Sequence, residues 1–394
     1  MKSQHSLLNK NLFLLIICQG LFLTNNVTFI AINGLVGFSL ATVSWMATLP
    51  VMGYVVGGAL ATSIVAKTQN KFGRRRSFQL GLLIAIISAL ICAYAAFTHN
   101  FWLLIGGTFI AGYYSANGQL YRFAAAELTD KALRDKAVSW VLAGGILGAV
   151  IGPNLASWTR NLYGTPFLGA YLALAIAGAL GIIAMQFIHF PDEYRSHHSL
   201  TAGRELKTIL LQPVFLVATI GASLGYGVMN LLMAATPLAM QICGHQFVDT
   251  ALVLEWHVIG MFAPGFFTGS LIKRFGAIKI MGAGVLLNLM CIGVASTGTD
   301  LHQFLFALFT LGVGWNFLFT GATSLAMTAY RPEEKDKAQA VINFCVFGTM
   351  AITSFTSGAM VTSQGWEILN IVSIIPVLAI GAALLWIGLK GRRA

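Results

Sequence analysis

Ala66-Lys67-Thr68-Gln69-Asn70-Lys71-Phe72-Gly73-Arg74-Arg75-Arg76 is a short basic stretch between two long apolar ones, 43–65 and 77–97. Its centre, Lys71-Phe72-Gly73, returns 203 residues later as Arg274-Phe275-Gly276, again between apolar stretches. A second landmark, Asp135-Lys136-Ala137, returns as Asp336-Lys337-Ala338 at an offset of 201. Two landmarks with almost one offset point to duplication of a whole multi-helix unit.

The basic residues carry the next inference. Apart from Arg122 and Arg160, every Lys and Arg falls in one of seven short clusters: Lys2 with Lys10, Lys67 to Arg76, Lys131 to Lys136, Arg195 to Lys207, Lys273 to Lys279, Arg331 to Lys337, and Lys390 to Arg393. Between clusters the apolar stretches pair up as out-and-back crossings, so the positive charge occupies alternate loops. Basic loops stay cytoplasmic when helices insert into a bilayer, and both ends of the chain are therefore expected inside. Hydrophobic residues make up 57% of the 394 positions and charged ones 9%, against about 25% charged in a soluble domain. The formal charge of +11 is spread over loops beside apolar spans, where it meets anionic lipid and not nucleic acid. Five cysteines, Cys18, Cys92, Cys243, Cys291 and Cys345, form no C-x-x-C pair and read as small apolar residues. The N-terminus is read as a first span and not a secretory signal, because no small-x-small site follows and Asn25, Asn26 and Asn33 continue the segment.

Stretches long enough to cross about 30 Å of hydrocarbon run 11–33, 43–65, 77–97, 101–123, 137–158, 166–189, 213–238, 250–271, 279–297, 302–326, 338–361 and 367–389. Spans in lipid satisfy their own backbone hydrogen bonds, so each is expected to be helical. The fold expected is an all-α membrane protein of twelve transmembrane helices in two pseudo-symmetric six-helix bundles, 1–190 and 213–394. The polar segment 191–212, with Asp192, Glu193, His197, His198 and Arg204, is expected to be a cytoplasmic linker.

Residues 66–75 resemble the loop signature of the major facilitator superfamily, G-x-x-x-D-[RK]-x-G-[RK]-[RK], with a second copy at 269–278. The resemblance covers the whole chain and implies that Asn70, Gly73, Arg74, Arg75 and Gly276 belong to loops that hold one conformation of a transport cycle. The pattern departs at Asn70, where an acid is usual, and at Ala66, where a glycine is usual; an ionic latch through position 70 is thereby lost. In span 5, Gly144, Gly148 and Gly152 recur every four residues before Pro153, which puts small residues on one face for a close neighbour. Gly148-x-x-x-Gly152-Pro153 is similar to part of the span-5 signature of the family's antiporters, without its closing Gly-Gly. Tyr121-Arg122-Phe123 in span 4, Trp256-His257 through Pro264 in span 8 and Gly312-Val313-Gly314-Trp315-Asn316-Phe317 in span 10 resemble a bacterial branch that includes riboflavin-transporter-like proteins.

The resemblance implies that spans 1, 4, 7 and 10 line a central cavity. Polar residues in them fall into stripes: Gln19, Asn26 and Asn33; Ser115, Gln119 and Arg122; Ser223, Tyr226 and Asn230; Asn316, Thr320 and Thr323. The expected substrate contacts are Asn26, Ser115, Gln119, Arg122, Tyr226, Asn230, Trp315, Asn316 and Thr320. Each such amide or hydroxyl has a competing use as an interhelical hydrogen bond. Arg122, a cation within a span, could instead reach headgroups or pair with Glu127. Glu255 and His257 can each take up a proton and are the proton-coupling candidates; a fixed interhelical bond for His257 and a hydrated, interfacial Glu255 are their alternatives. Aromatic surfaces with amides suit a planar, uncharged or weakly anionic molecule.

The activity implied is a secondary transporter moving a small organic solute across the cytoplasmic (inner) membrane by alternating access, gradient (proton) coupled, with uptake of a riboflavin-like nutrient as the leading case. Drug or metabolite efflux by proton antiport, siderophores included, is the alternative, and a non-transporting receptor or sensor is the alternative from another class. No G-x-x-x-x-G-K-[ST] loop occurs. No cofactor, metal site or catalytic residue is expected, and the expected partners are a small-molecule substrate and the lipid bilayer, with the chain acting as a monomer.

Overall fold

The computed structural model describes residues 9–129, 134–190, 204–331 and 334–390. Residues 191–203 of the expected linker, and the side chains of Asp135, Lys136 and Asp336 in the second landmark, lie outside the described residues. The chain divides into two compact units, 1–196 and 197–394. Every regular element among the described residues is helical.

The first unit contains α1 (Lys10–Leu40), α2 (Leu49–Phe97), α3 (Phe101–Gly118), α4 (Tyr121–Glu127), α5 (Arg134–Thr159) and α6 (Leu168–Gln186). The second contains α7 (Leu206–Leu210), α8 (Pro213–Ile242), α9 (Phe247–Phe262), α10 (Gly265–Phe275), α11 (Ala277–Ala295), α12 (Leu301–Met327), α13 (Lys335–Ser363), α14 (Gly365–Val372) and α15 (Ile374–Lys390). Among the described residues nine helices are long and apolar enough to cross a membrane, ten when α9 and α10, bent by 41°, count as one. Two further spans complete the expected twelve. At 49 residues, α2 would be about 74 Å long if straight, more than twice the hydrocarbon thickness of about 30 Å. It breaks at Gly73, at φ 79° and ψ 167°, into two of the expected spans. The other is α3 with α4, whose Tyr113, Tyr114, Ser115 and Asn117 dilute its hydropathy.

Several boundaries differ from expectation. The loop expected around 66–76 shrinks to one residue, because the helix runs to Phe72 and resumes at Arg74. Span 8 breaks at Ala263-Pro264, where proline has no N–H to give and crowds the preceding turn. Span 12 breaks at Ser373, three residues before Pro376. Span 4 breaks after Gly118: a methyl there would lie 2.1 Å from the Phe22 ring of α1, so the ring fills the room a side chain would need.

Helices in lipid gain little from mutual hydrophobicity and associate through close packing and hydrogen bonds. Here backbone meets backbone at close range, and it does so in both units. A methyl on Gly57 would lie 2.0 Å from the Phe109 carbonyl oxygen, and one on Gly260 would lie 2.7 Å from the Phe309 carbonyl oxygen. A methyl on Gly112 would lie 2.2 Å from the Gly58 nitrogen; one on Gly312 would meet the His257 oxygen at 2.4 Å and the Met261 nitrogen at 2.9 Å. The span-5 glycine stripe does the work expected of it: Gly144, Gly148 and Gly152 admit the α1 backbone at Ile16, Gly20 and Thr24, and the Thr28 hydroxyl donates to the Gly152 carbonyl at 2.9 Å.

Gly73 and Gly276 take the same positive φ, 79° and 86°, a region where a side chain would be strained. The cation before each lies over the intervening phenylalanine: Lys71 at 5.2 Å from the Phe72 ring, Arg274 at 5.1 Å from the Phe275 ring. The repeated motif is therefore a repeated turn.

Each unit also ties the segment before its first span to the end of its fourth. Asn9 caps α1 by accepting from the Leu12 N–H and donates to the Leu128 carbonyl at 2.8 Å. In the second unit Arg204 donates to the Ala329 carbonyl, the equivalent position, at 3.0 Å. Arg204 also grips the fully buried Glu334 with two guanidinium bonds of 2.8 and 2.7 Å and its own N–H, while Ile209 and Phe215 pack on Ala329 and Ala338. The hydrogen bonds of the Arg204 guanidinium, helped by the N–H groups of Arg331 and Arg204, hold the Glu334 carboxyl at about 2 against the opposing effect of burial. A carboxylate with a lowered folded value stabilises the fold fully above its ordinary 4.5 and loses that contribution as pH falls toward 2. Arg204→Ala should therefore lower the thermal midpoint of the detergent-purified protein at pH 7, and the gap to wild type should narrow below about pH 4.5; a gap constant down to pH 3 would show that the ion pair does not carry the effect.

Candidate functional site

In the first unit, Asn26 on α1 donates its amide to the Tyr54 hydroxyl at 3.0 Å and remains half-buried. Ser115 is half-buried on α3, and Gln119, the residue after that helix, is exposed. Arg122 follows on α4, half-buried, with its guanidinium over the Phe123 ring at 4.8 Å. The break after Gly118 places Ser115 and Arg122 on two helices, so the expected continuous stripe is interrupted.

Glu127, expected as a partner for Arg122, is taken by Arg74 through a two-pronged contact, and Arg74 also bonds the Gln69 side-chain oxygen. Asn70 is exposed and outside this pair. The ion pair that Asn70 cannot make is made beside it, by Arg74. Arg74 opens the second half of α2 and Glu127 closes α4, so each charge sits at the helix end that disfavours it; pairing relieves both. Arg75 is half-buried beside Arg74. At the equivalent second-unit positions stand Ala277 and Thr328, so this ion pair has no counterpart there.

In the second unit two expected contacts have other employment. The Asn316 amide donates to the Met261 carbonyl at 2.7 Å and accepts from the Thr268 hydroxyl at 2.7 Å. Met261 lies just before the Pro264 break, where helix carbonyls lose their regular donors, so Asn316 staples the bent span 8. Asn230 donates to the Met350 carbonyl and to the Thr353 and Ser354 hydroxyls at 2.9–3.1 Å, joining α8 to α13. Both amides thus have the interhelical use given above as the competing one: buried amides in lipid bond to neighbouring helices. His257 is fully buried, and its Nδ1–H donates to the Leu308 carbonyl at 2.6 Å; this is the interhelical bond given above as its alternative. Glu255, two residues earlier, is half-buried.

Tyr226 on α8 and Trp315 on α12 meet. The Trp315 ring stacks on Phe319 at 5.2 Å with 8° between planes, and Tyr226 meets both edge-on at 5.3 and 5.4 Å. Phe262 adds a fourth ring 6.2 Å from Trp315. Thr320 is half-buried next to Phe319. Phe319 and Phe262 were not anticipated; the four-residue spacing of Phe319 from Trp315, one helical turn, was the available signal.

The sequence profile of the Major Facilitator Superfamily matches residues 12–345 and, in a second match, 252–394. The chain belongs to the Major Facilitator Superfamily. Within it, the chain is 36% identical over 387 residues to the riboflavin transporter RfnT of Brucella anthropi, covering 98% of this chain and 97% of that protein. It is 26% identical over 359 residues to the uncharacterized MFS-type transporter YddS of Bacillus subtilis, covering 86% and 82%. A solved structure of a mutant of the nucleoside transporter NupG shares the fold, with a TM-score of 0.74 over 96% of this chain and 99% of that one, at 11% identity. This superfamily member is a multi-pass membrane transporter of a small molecule, on the branch that the strings around Arg122, Trp256 and Trp315 resemble. The expected fold of two six-helix bundles stands.

Reversing the ion pair tests the latch. Arg74→Glu and Glu127→Arg alone should each lower the thermal midpoint, and the double reversal should restore it to wild type or above, because both charges then suit their helix ends. A double variant no better than the worse single one would contradict this pairing.

Proposed function

We propose that this transporter takes up riboflavin, or a closely similar flat heterocycle, across the cytoplasmic membrane by alternating access driven by an ion gradient. The 36% identity to a riboflavin transporter, spread over nearly the full length of both chains, carries the reading. The ring cluster of Tyr226, Phe262, Trp315 and Phe319 supports it, because stacked and edge-on aromatic faces favour a planar solute. The proposed contacts are Asn26, Ser115, Gln119 and Arg122 in the first unit and Tyr226, Trp315 and Thr320 in the second. Asn230 and Asn316 act by holding helices. With His257 bonded to Leu308, Glu255 is the residue proposed for proton coupling. The units 1–190 and 213–394, a cytoplasmic 191–212, both termini inside and action as a monomer complete the proposal.

Riboflavin-requiring bacteria that lack an uptake system test it. Cells expressing the wild type should accumulate tritiated riboflavin above vector controls. Trp315→Ala should cut initial uptake about tenfold, from lost stacking of about 0.5–1.5 kcal/mol and lost apolar burial, and Glu255→Gln should flatten the pH dependence. No accumulation, or accumulation below the control, would overturn uptake, the second result favouring export. Riboflavin binding without flux in liposomes would favour a receptor.

A further inference from the structure

The indole N–H of Trp315 can only donate a hydrogen bond, and Trp315 is 7% exposed. No described protein acceptor lies within hydrogen-bond distance of its Nε1. The same holds for the Oγ of Ser223, a residue 6% exposed and one turn before Tyr226 on α8. Buried donors without partners cost a protein stability and are rare. The Tyr226 ring, one turn from Ser223 on the same helix, meets Trp315 and Phe319. Close passage of α8 against α12 fixes that arrangement, since a methyl on Gly225 would lie 3.2 Å from Leu318 and one on Gly221 would lie 3.6 Å from Ala322. Two polar side chains of α12 bond elsewhere: the Asn316 oxygen accepts from Thr268, and the Thr323 hydroxyl donates to the Phe319 carbonyl.

We infer that Trp315 Nε1 and Ser223 Oγ are specificity groups that donate hydrogen bonds to acceptors on the rim of a flat heteroaromatic ligand lying against Tyr226. This rests on the proposed function and sharpens it. The rings supply attraction for any planar molecule, and the two donors select those with carbonyl oxygens or imine-type nitrogens at the ring edge. Isoalloxazines carry such acceptors; plain aromatic hydrocarbons do not. A site built to donate rejects analogues that lack the acceptor far better than an apolar pocket rejects extra bulk.

Equilibrium quenching of ligand fluorescence, or displacement of the bound fluorophore, tests this on the purified full-length protein. The probes are riboflavin, 5-deazariboflavin, and riboflavin with sulfur in place of the oxygen at C2 or at C4. Wild type should bind at least one analogue five- to tenfold more weakly than riboflavin, and either Trp315→Phe or Ser223→Ala should bind that analogue and riboflavin alike. Ser223→Ala should leave the ligand-free thermal midpoint unchanged or raised, because it removes a buried unpaired hydroxyl, while weakening riboflavin binding; a purely structural hydroxyl would show the reverse. Wild-type affinity for riboflavin in both variants would overturn the inference and leave the proposed function standing. Wild type that ignores flavins but binds uridine or a xanthine through the same two residues would overturn the proposed substrate and keep the inference. Binding of none of these ligands would overturn both.

Discussion

Backbone-to-backbone contact between the second and fourth spans of each unit is the constraint on which the rest is built. Apolar side chains gain little by leaving lipid for one another, so a bundle in a bilayer is held by closeness and by satisfied polar groups. Gly57 and Gly112 in one unit, Gly260 and Gly312 in the other, bring main chains to distances that exclude even a methyl group. With those helices fixed, α5 settles on α1 through its own glycine stripe and Thr28, and Asn230, His257 and Asn316 bond to neighbouring helices. Gly58 and Met261, opposite Gly112 and Gly312, are 203 residues apart, the same offset as the two basic turns. The repeat seen in loop motifs thus extends into helix packing.

Within this shared frame the units differ where charge and aromaticity are placed. The first carries the Arg74–Glu127 pair between its second turn and fourth span; the second has the Arg204–Glu334 clamp between its leading segment and the turn before α13. Different joints of the same design are thus secured by ions, and a neutral Asn9 serves the first unit where Arg204 serves the second. The first unit keeps Arg122 and half-buried amides, and the second keeps the ring cluster with Trp315 at its centre.

The fold was legible because hydropathy, loop charge and the repeat each report on a physical necessity of the bilayer. Breaks inside spans were less legible: Pro264 was visible, but that Asn316 would mend the break depended on a contact between residues 55 apart. Asn230 and Asn316 show the limit at the site. An amide on the face of a span can serve a ligand or a neighbouring helix, and spacing along one helix says nothing of what stands opposite. The Arg74–Glu127 pair was hidden for a similar reason: the loop pattern assigns the acid to position 70, whereas Arg74 pairs with an acid 53 residues away and bonds Gln69 beside it.

The claim that one bundle is made twice by the same main-chain contacts is tested most directly by thermal unfolding of detergent-purified Gly57→Leu and, separately, Gly260→Leu. Each leucine would be driven into a carbonyl of the fourth span of its unit, at Phe109 or Phe309, and overpacking of this kind costs about 1–3 kcal/mol or more. The account predicts that both lower the midpoint by comparable amounts. A midpoint unchanged from wild type in either variant would contradict it.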